Sequence, residues 1–113
     1  MKKNQKIYIS GKVTGNKCFE REFKATEKAL RTKCPELEIV NPVRLCPSTW
    51  CWLRCMAVCV KALLGCTHIC MIEGWQESKG ARIELWIALL LGLEVWSSDA
   101  QGCDYAFICT YSR

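Results

Sequence analysis

The sequence predicts an α/β domain with a mainly parallel sheet of four or five strands covered by helices. Three observations predict it. Short β-rich runs alternate with stretches of helical periodicity in the order β-α-β-α-β-α-β-β. That order implies a mainly parallel sheet, whose right-handed crossovers should put every strand's carboxyl end on one rim. The stretch around residues 68–91 reads as apolar strand, polar loop, then apolar helix, the place where open α/β sheets hold ligands.

Each element has its own signal. Lys6-Ile-Tyr-Ile-Ser10 is β-rich and stops at Gly11. Gly11-Lys12-Val13-Thr14-Gly15-Asn16 follows. Its glycines permit a tight turn and close backbone approach, and Lys12 and Thr14 offer donors to a phosphate or sugar. A plain βα turn explains it equally well, and it lacks Walker or dinucleotide-fingerprint spacing. Phe19, Phe23, Thr26/Glu27 and Leu30 recur at helical spacing and predict a helix over 19–32, closed before Pro35. Leu37 to Val40 is the second strand, broken by Asn41-Pro42. A second helix is predicted over 50–64, with Ser48 or Thr49 as its cap and Gly65 as its stop. His68 to Ile72 is the third strand. The third helix follows Ser78 and ends at Gly92, and Leu93 to Trp96 is the fourth strand. Tyr105 to Cys109 is expected to add a fifth strand at an edge. No composition shift or repeat divides residues 1–113, so a single domain is expected.

The totals narrow the class. The chain has 113 residues, half apolar and a quarter charged, with net charge +5. That is globular and modestly basic. Lys2, Lys3, Lys6, Lys12 and Lys17 crowd the amino terminus. They read as a solvated basic end first, and as attraction for an anionic ligand second; nucleic acid is not expected as a partner. Ten cysteines are many for this length. No secretory leader is visible and no apolar run reaches spanning length, so a cytoplasmic location without membrane contact is expected. The cysteines then act as small apolar residues in a reducing compartment. Cys51, Cys55 and Cys59 share one helix face, but no CxxC pair is present, so no metal or other cofactor is expected. His68, inside a strand, reads as a satisfied core residue. Trp50 and Trp52 read as core or subunit contacts.

The richest stretch is Glu73-Gly-Trp-Gln-Glu-Ser-Lys-Gly-Ala-Arg-Ile-Glu84. Ser78 can cap the helix start, where unpaired N–H groups attract anions. Glu84 lies roughly 9 Å further along a helix rising 1.5 Å per residue. A sugar would fit between a phosphate at Ser78 and a reacting atom at Glu84. The plainer account of Glu84 is an acid favoured by the helix dipole, a term of ~0.3–1 kcal/mol. If instead it is a nucleophile, it must be ionised against an apolar wall, with Arg82 or the dipole countering the burial. Trp75 either stacks on a base or anchors the loop on the core. Tyr8 points either into the core or to the rim.

Three stretches carry a resemblance: Tyr8-Ile-Ser-Gly-Lys-Val-Thr-Gly15, Asn41-Pro42, and Gly74 to Glu84 with its S-x-G-x3-E spacing from Ser78 through Gly80 to Glu84. Through about Val95 the chain resembles the nucleoside 2-deoxyribosyltransferase-like superfamily. Within it, the chain is similar to a group of small bacterial and phage proteins and to deoxynucleoside 5'-monophosphate N-glycosidases. The resemblance implies a flavodoxin-like three-layer α/β/α sandwich and cleavage or transfer of an N-glycosidic bond, with Glu84 as nucleophile. It implies a nucleoside or nucleotide ligand held by Tyr8, Gly11, Lys12, Thr14, Gly15, Asn41, Trp75, Ser78 and Gly80, and a homo-oligomer. A Ser at position 78, where the classical transferases carry Asp, leans toward a phosphorylated ligand. Two departures stand beside this. Relatives often carry an Asp that assists departure of the base where Cys59 stands, and another where Thr67 stands. A thiol is a poor proton donor to substitute for a carboxyl group. These departures favour the alternative, a catalytically weak protein that sequesters a nucleotide-derived signal, of the kind a phage would use against host defence.

Overall fold

The computed structural model describes residues 5–13, 19–33, 35–45, 51–98 and 110–111. Four parallel strands, β1 (Lys6–Ser10), β2 (Glu38–Val40), β3 (His68–Ile72) and β4 (Glu94–Ser98), form the sheet. A two-residue strand β5 (Thr110–Tyr111) pairs antiparallel with β4, giving the order β2-β1-β3-β4-β5. Three helices cover it: α1 (Phe19–Lys33), α2 (Trp52–Leu64) and α3 (Lys79–Leu91). This is the α/β sandwich of flavodoxin-like order that the sequence predicts.

The alternation of β1 decides which layer sees which residue. Ile7 and Ile9 face α1 and pack with Phe23, Leu30, Leu37, Cys70 and Ile72. Tyr8 faces the other way, into the cluster of Cys59, Leu63, Ile69, Met71, Ala81, Ala88 and Val95 beneath α2 and α3. β1 and β3 are buried on both faces, as central parallel strands are, which explains their unbroken apolar reading.

The helices end where local chemistry says they should. α1 buries Phe23, Thr26, Glu27 and Leu30, with Glu20 and Glu22 in its first turn and Arg31 and Lys33 in its last, matched to the dipole. The Ser78 hydroxyl accepts the Ala81 N–H at 3.1 Å, capping α3. Gly92, at φ +79°, closes α3 in the left-handed conformation that suits glycine.

Several expectations need correction. α2 begins at Trp52, not Trp50, and its cap is Cys51, which makes no side-chain cap bond. The expected caps Ser48 and Thr49, Trp50, and the expected strand Tyr105 to Cys109 lie outside the described residues. α1 runs one residue further than read, to Lys33, and β4 extends to Ser98. The apolar run Leu85 to Leu91 reads as a buried core helix, but Trp86, Leu90 and Leu91 are exposed on α3, as Leu53 and Leu64 are on α2. Among the described residues, no helix is long and apolar enough to cross a membrane.

Candidate functional site

A cavity of about 600 Å³ opens at the carboxyl end of β1, beside its junction with β3. This is the switch point of the sheet: from β1 the chain leaves by α1 on one face, and it returns to β3 by α2 on the other. Adjacent loops diverge at such a point and leave a crevice. The walls therefore come from both helical layers. β1 and its turn supply Tyr8, Ser10, Gly11 and Val13. α1 supplies Phe19, Glu20 and Phe23, and the turn after β2 supplies Pro42 and Val43. Trp52, Cys55, Met56 and Cys59 come from α2, and Ser78, Gly80, Ala81 and Glu84 from α3.

Glu84 is the buried acid of this lining. Its side chain is buried, and both carboxylate oxygens accept hydroxyl protons across the sheet–helix interface. Tyr8 donates to Oε2 at 2.8 Å and Ser10 to Oε1 at 2.7 Å. Tyr8 and Ser10 are two residues apart on one strand, so both project from the same face toward α3. Burial pushes the Glu84 carboxyl above its ordinary pKa, while the bonds from Ser10 and Tyr8 act against that rise. Burial, then the Glu84 charge, hold the Tyr8 phenol well above its ordinary value, so it remains a donor. Tyr8 is thus both a core ring and a rim hydroxyl. Arg82, expected to counter the burial of Glu84, is exposed on α3; the two hydroxyls take that role instead.

The other expected residues divide into two sets. Gly11, Ser78 and Gly80 line the cavity with Glu84. Gly11 is needed for close packing: a Cβ there would sit 3.1 Å from Ile72 Cβ. At Gly80 a Cβ would sit 3.1 Å from Met56 Sδ, so this glycine lets α3 approach α2. Ser78 lends its hydroxyl to the helix cap. By contrast, Asn41 stands behind the wall. Its amide donates to Glu27 Oε1 at 3.0 Å and its carbonyl oxygen accepts the Val43 N–H, fixing the turn that presents Pro42 and Val43. Lys12 donates to Glu77 at 2.9 Å on the surface. Trp75 is half-buried and packs against the core cluster beneath α3 rather than lining the cavity. Thr14 and Gly15 lie outside the described residues.

Sequence reasoning missed Ser10, Glu20, Trp52 and the apolar wall. The period of two in β1 was a usable signal for Ser10, because any face holding Tyr8 also holds Ser10. Trp52, read as a core or subunit contact, lines the cavity with Lys79 Nζ 5.8 Å from its ring centre.

His68 is buried at the opposite rim, its Nε2 2.8 Å from Glu94 and its Nδ1 2.7 Å from the Thr67 hydroxyl, with an edge contact to Trp96. Thr67 itself donates to the Lys6 carbonyl. Cys51, Cys55, Cys59, Cys66 and Cys70 are free thiols. Burial raises Cys66 to about 11, leaving it inert at neutral pH. Among the described residues no three His, Cys, Asp or Glu side chains gather as a metal site.

The arrangement is a closed-in carboxylate with fixed orientation, facing a cavity lined by both apolar and polar side chains. Such a group can accept a hydrogen bond from a bound ligand or attack an electrophilic carbon. No curated protein matches the chain. The family model described as domain of unknown function DUF4406 matches residues 5–97, and the chain belongs to that family.

Proposed function

We propose that this member of DUF4406 binds a nucleoside or nucleoside 5'-monophosphate in the cavity and cleaves or transfers its N-glycosidic bond, with Glu84 as the nucleophile. The observation that carries the reading is the Glu84 carboxylate, buried at the cavity wall with both oxygens held by hydroxyls. Neutral donors orient a carboxylate and favour its ionised form without cancelling its charge, which is what attack on an anomeric carbon requires. The apolar wall of Phe19, Val43, Trp52 and Met56 suits a base, and Ser78 at the start of α3 suits the sugar or phosphate end. The resemblance carried by Ser78, Gly80 and Glu84 supports the same assignment.

A second reading rests on one specific observation. Cys59, where the resemblance implies an acid, lines the cavity, whereas Thr67 stands at the far rim, bonded to Lys6. A thiol in the same cavity as Glu84 favours a nucleotide-sequestering protein with weak turnover. Homo-oligomerisation belongs to either reading and draws support from the exposed Leu53, Trp86 and Leu90. A reducing compartment fits the free thiols.

Incubation with deoxynucleoside 5'-monophosphates, with released base followed by chromatography, separates the readings. Base release that disappears in Glu84→Ala supports the enzyme. No release, with a nucleotide recovered from the denatured protein, overturns it in favour of the binder.

A further inference from the structure

N-glycoside cleavage through a carboxylate nucleophile needs a second group to carry a proton. The departing base must gain one, and the incoming water must lose one. We infer that Glu20, on the first turn of α1, is that proton carrier; the assignment rests on the N-glycosidase reading of Glu84.

Four observations carry it. Glu20 lines the same cavity as Glu84, but enters from the α1 layer while Glu84 enters from α3, so a ligand between the layers meets a carboxyl group from each. Among the described residues, no hydrogen bond or ion pair engages the Glu20 carboxylate. It is exposed at the cavity, where it can reach solvent water. Helix-dipole preference alone does not account for it, because Glu22 supplies the same charge to that helix end without lining the cavity. The two carboxylates are thus prepared differently: Glu84 is fixed by two donors, and Glu20 has no such partner among the described residues.

The steps balance. A Glu84 oxygen bonds to the anomeric carbon as the carbon–nitrogen bond breaks, and the base nitrogen takes the electron pair and the proton of the Glu20 carboxyl. Water then attacks the same carbon and gives a proton to the Glu20 carboxylate. The ester bond breaks with its electrons returning to Glu84.

Glu20→Gln tests this against wild type on the four common 2'-deoxynucleoside 5'-monophosphates and on 7-methyl-2'-deoxyguanosine 5'-monophosphate. The methylated purine leaves as a neutral base and needs no proton. The expected result is release slowed by about a hundredfold or more on the ordinary substrates. Release is read in the first turnover, with enzyme in excess, before water attack is needed; on the methylated substrate it stays within a few-fold of wild type, as does nucleotide affinity read from tryptophan fluorescence. Equal slowing on both kinds of substrate, or no slowing on either, overturns the role of Glu20. If wild type releases no base from any of them, the N-glycosidase reading fails, and this inference with it.

Discussion

Glu27 and Glu84 are both buried glutamates on helices, and they are held in opposite ways. Glu27 on α1 meets a cation and an amide: Arg31 at 2.6 Å and Asn41 at 3.0 Å. Glu84 on α3 meets two neutral hydroxyls and a cavity. A charge paired to a cation is satisfied and adds to the structure. A charge held by hydroxyls is oriented, but it keeps its field directed at whatever enters the cavity. Burial alone therefore does not decide how far an acid's charge is neutralised; the charge of its partner does.

The comparison can be broken in several places. Under the proposed mechanism, in which Glu84 is the nucleophile, Glu84→Gln is expected to reduce base release by roughly three orders of magnitude or more, and circular dichroism should show an intact fold. A variant that still releases base would place Glu84 beside Glu27 as a structural acid. The same variant has a pH signature. Burial raises the Glu84 pKa in the folded state, so the folded state holds that proton more tightly than the unfolded chain does. Stability from this group therefore falls as pH climbs from the unfolded carboxyl value through the raised folded one. Glu84→Gln removes that slope, and its urea midpoint should gain on wild type across this window. An unchanged difference at all pH values would mean the carboxyl is not under a burial penalty.

Tyr8→Phe removes a donor that favours the ionised form. The acid limb of the rate profile should move upward in pH, with about a tenfold loss of rate at neutral pH, because a hydrogen bond to a charged group is worth ~1.5–3 kcal/mol. Glu27→Ala should show the reverse pattern. It should lose ~1–3 kcal/mol of stability in urea unfolding while base release per folded molecule stays near wild type. A Glu27 variant that folds well but loses activity would erase the distinction. Lys12→Ala gives the smallest effect. Its partner Glu77 is exposed, so stability should change by under about 0.5 kcal/mol, and only nucleotide affinity at low salt can reveal a phosphate contact.

The frame was legible because periodicity and punctuation survive in sequence. Gly65 and Gly92 stop their helices, and the run from Phe23 to Leu30 turns its apolar face inward as spaced. Ser78 and Glu84 were legible because helical spacing ties them together. Asn41 and Lys12 were not. Each spends its side chain on a carboxylate, Glu27 or Glu77, supplied by a different element, and no local pattern reports such a partner. Glu20 and Trp52 were hidden for the same reason: a cavity between layers depends on how far apart helices settle. Trp75 sat in the right loop, but a half-buried indole packs on the core as readily as on a base.

The five residues of β1 have a consequence for insertions and deletions. Tyr8 and Ser10 serve the site from one face while Ile7 and Ile9 serve the α1 layer from the other. A one-residue insertion or deletion that slipped the register of β1 would exchange the faces. It would turn isoleucines toward the carboxylate and hydroxyls into the oily layer in a single event. Loops elsewhere can lengthen, but this strand has no neutral change of length.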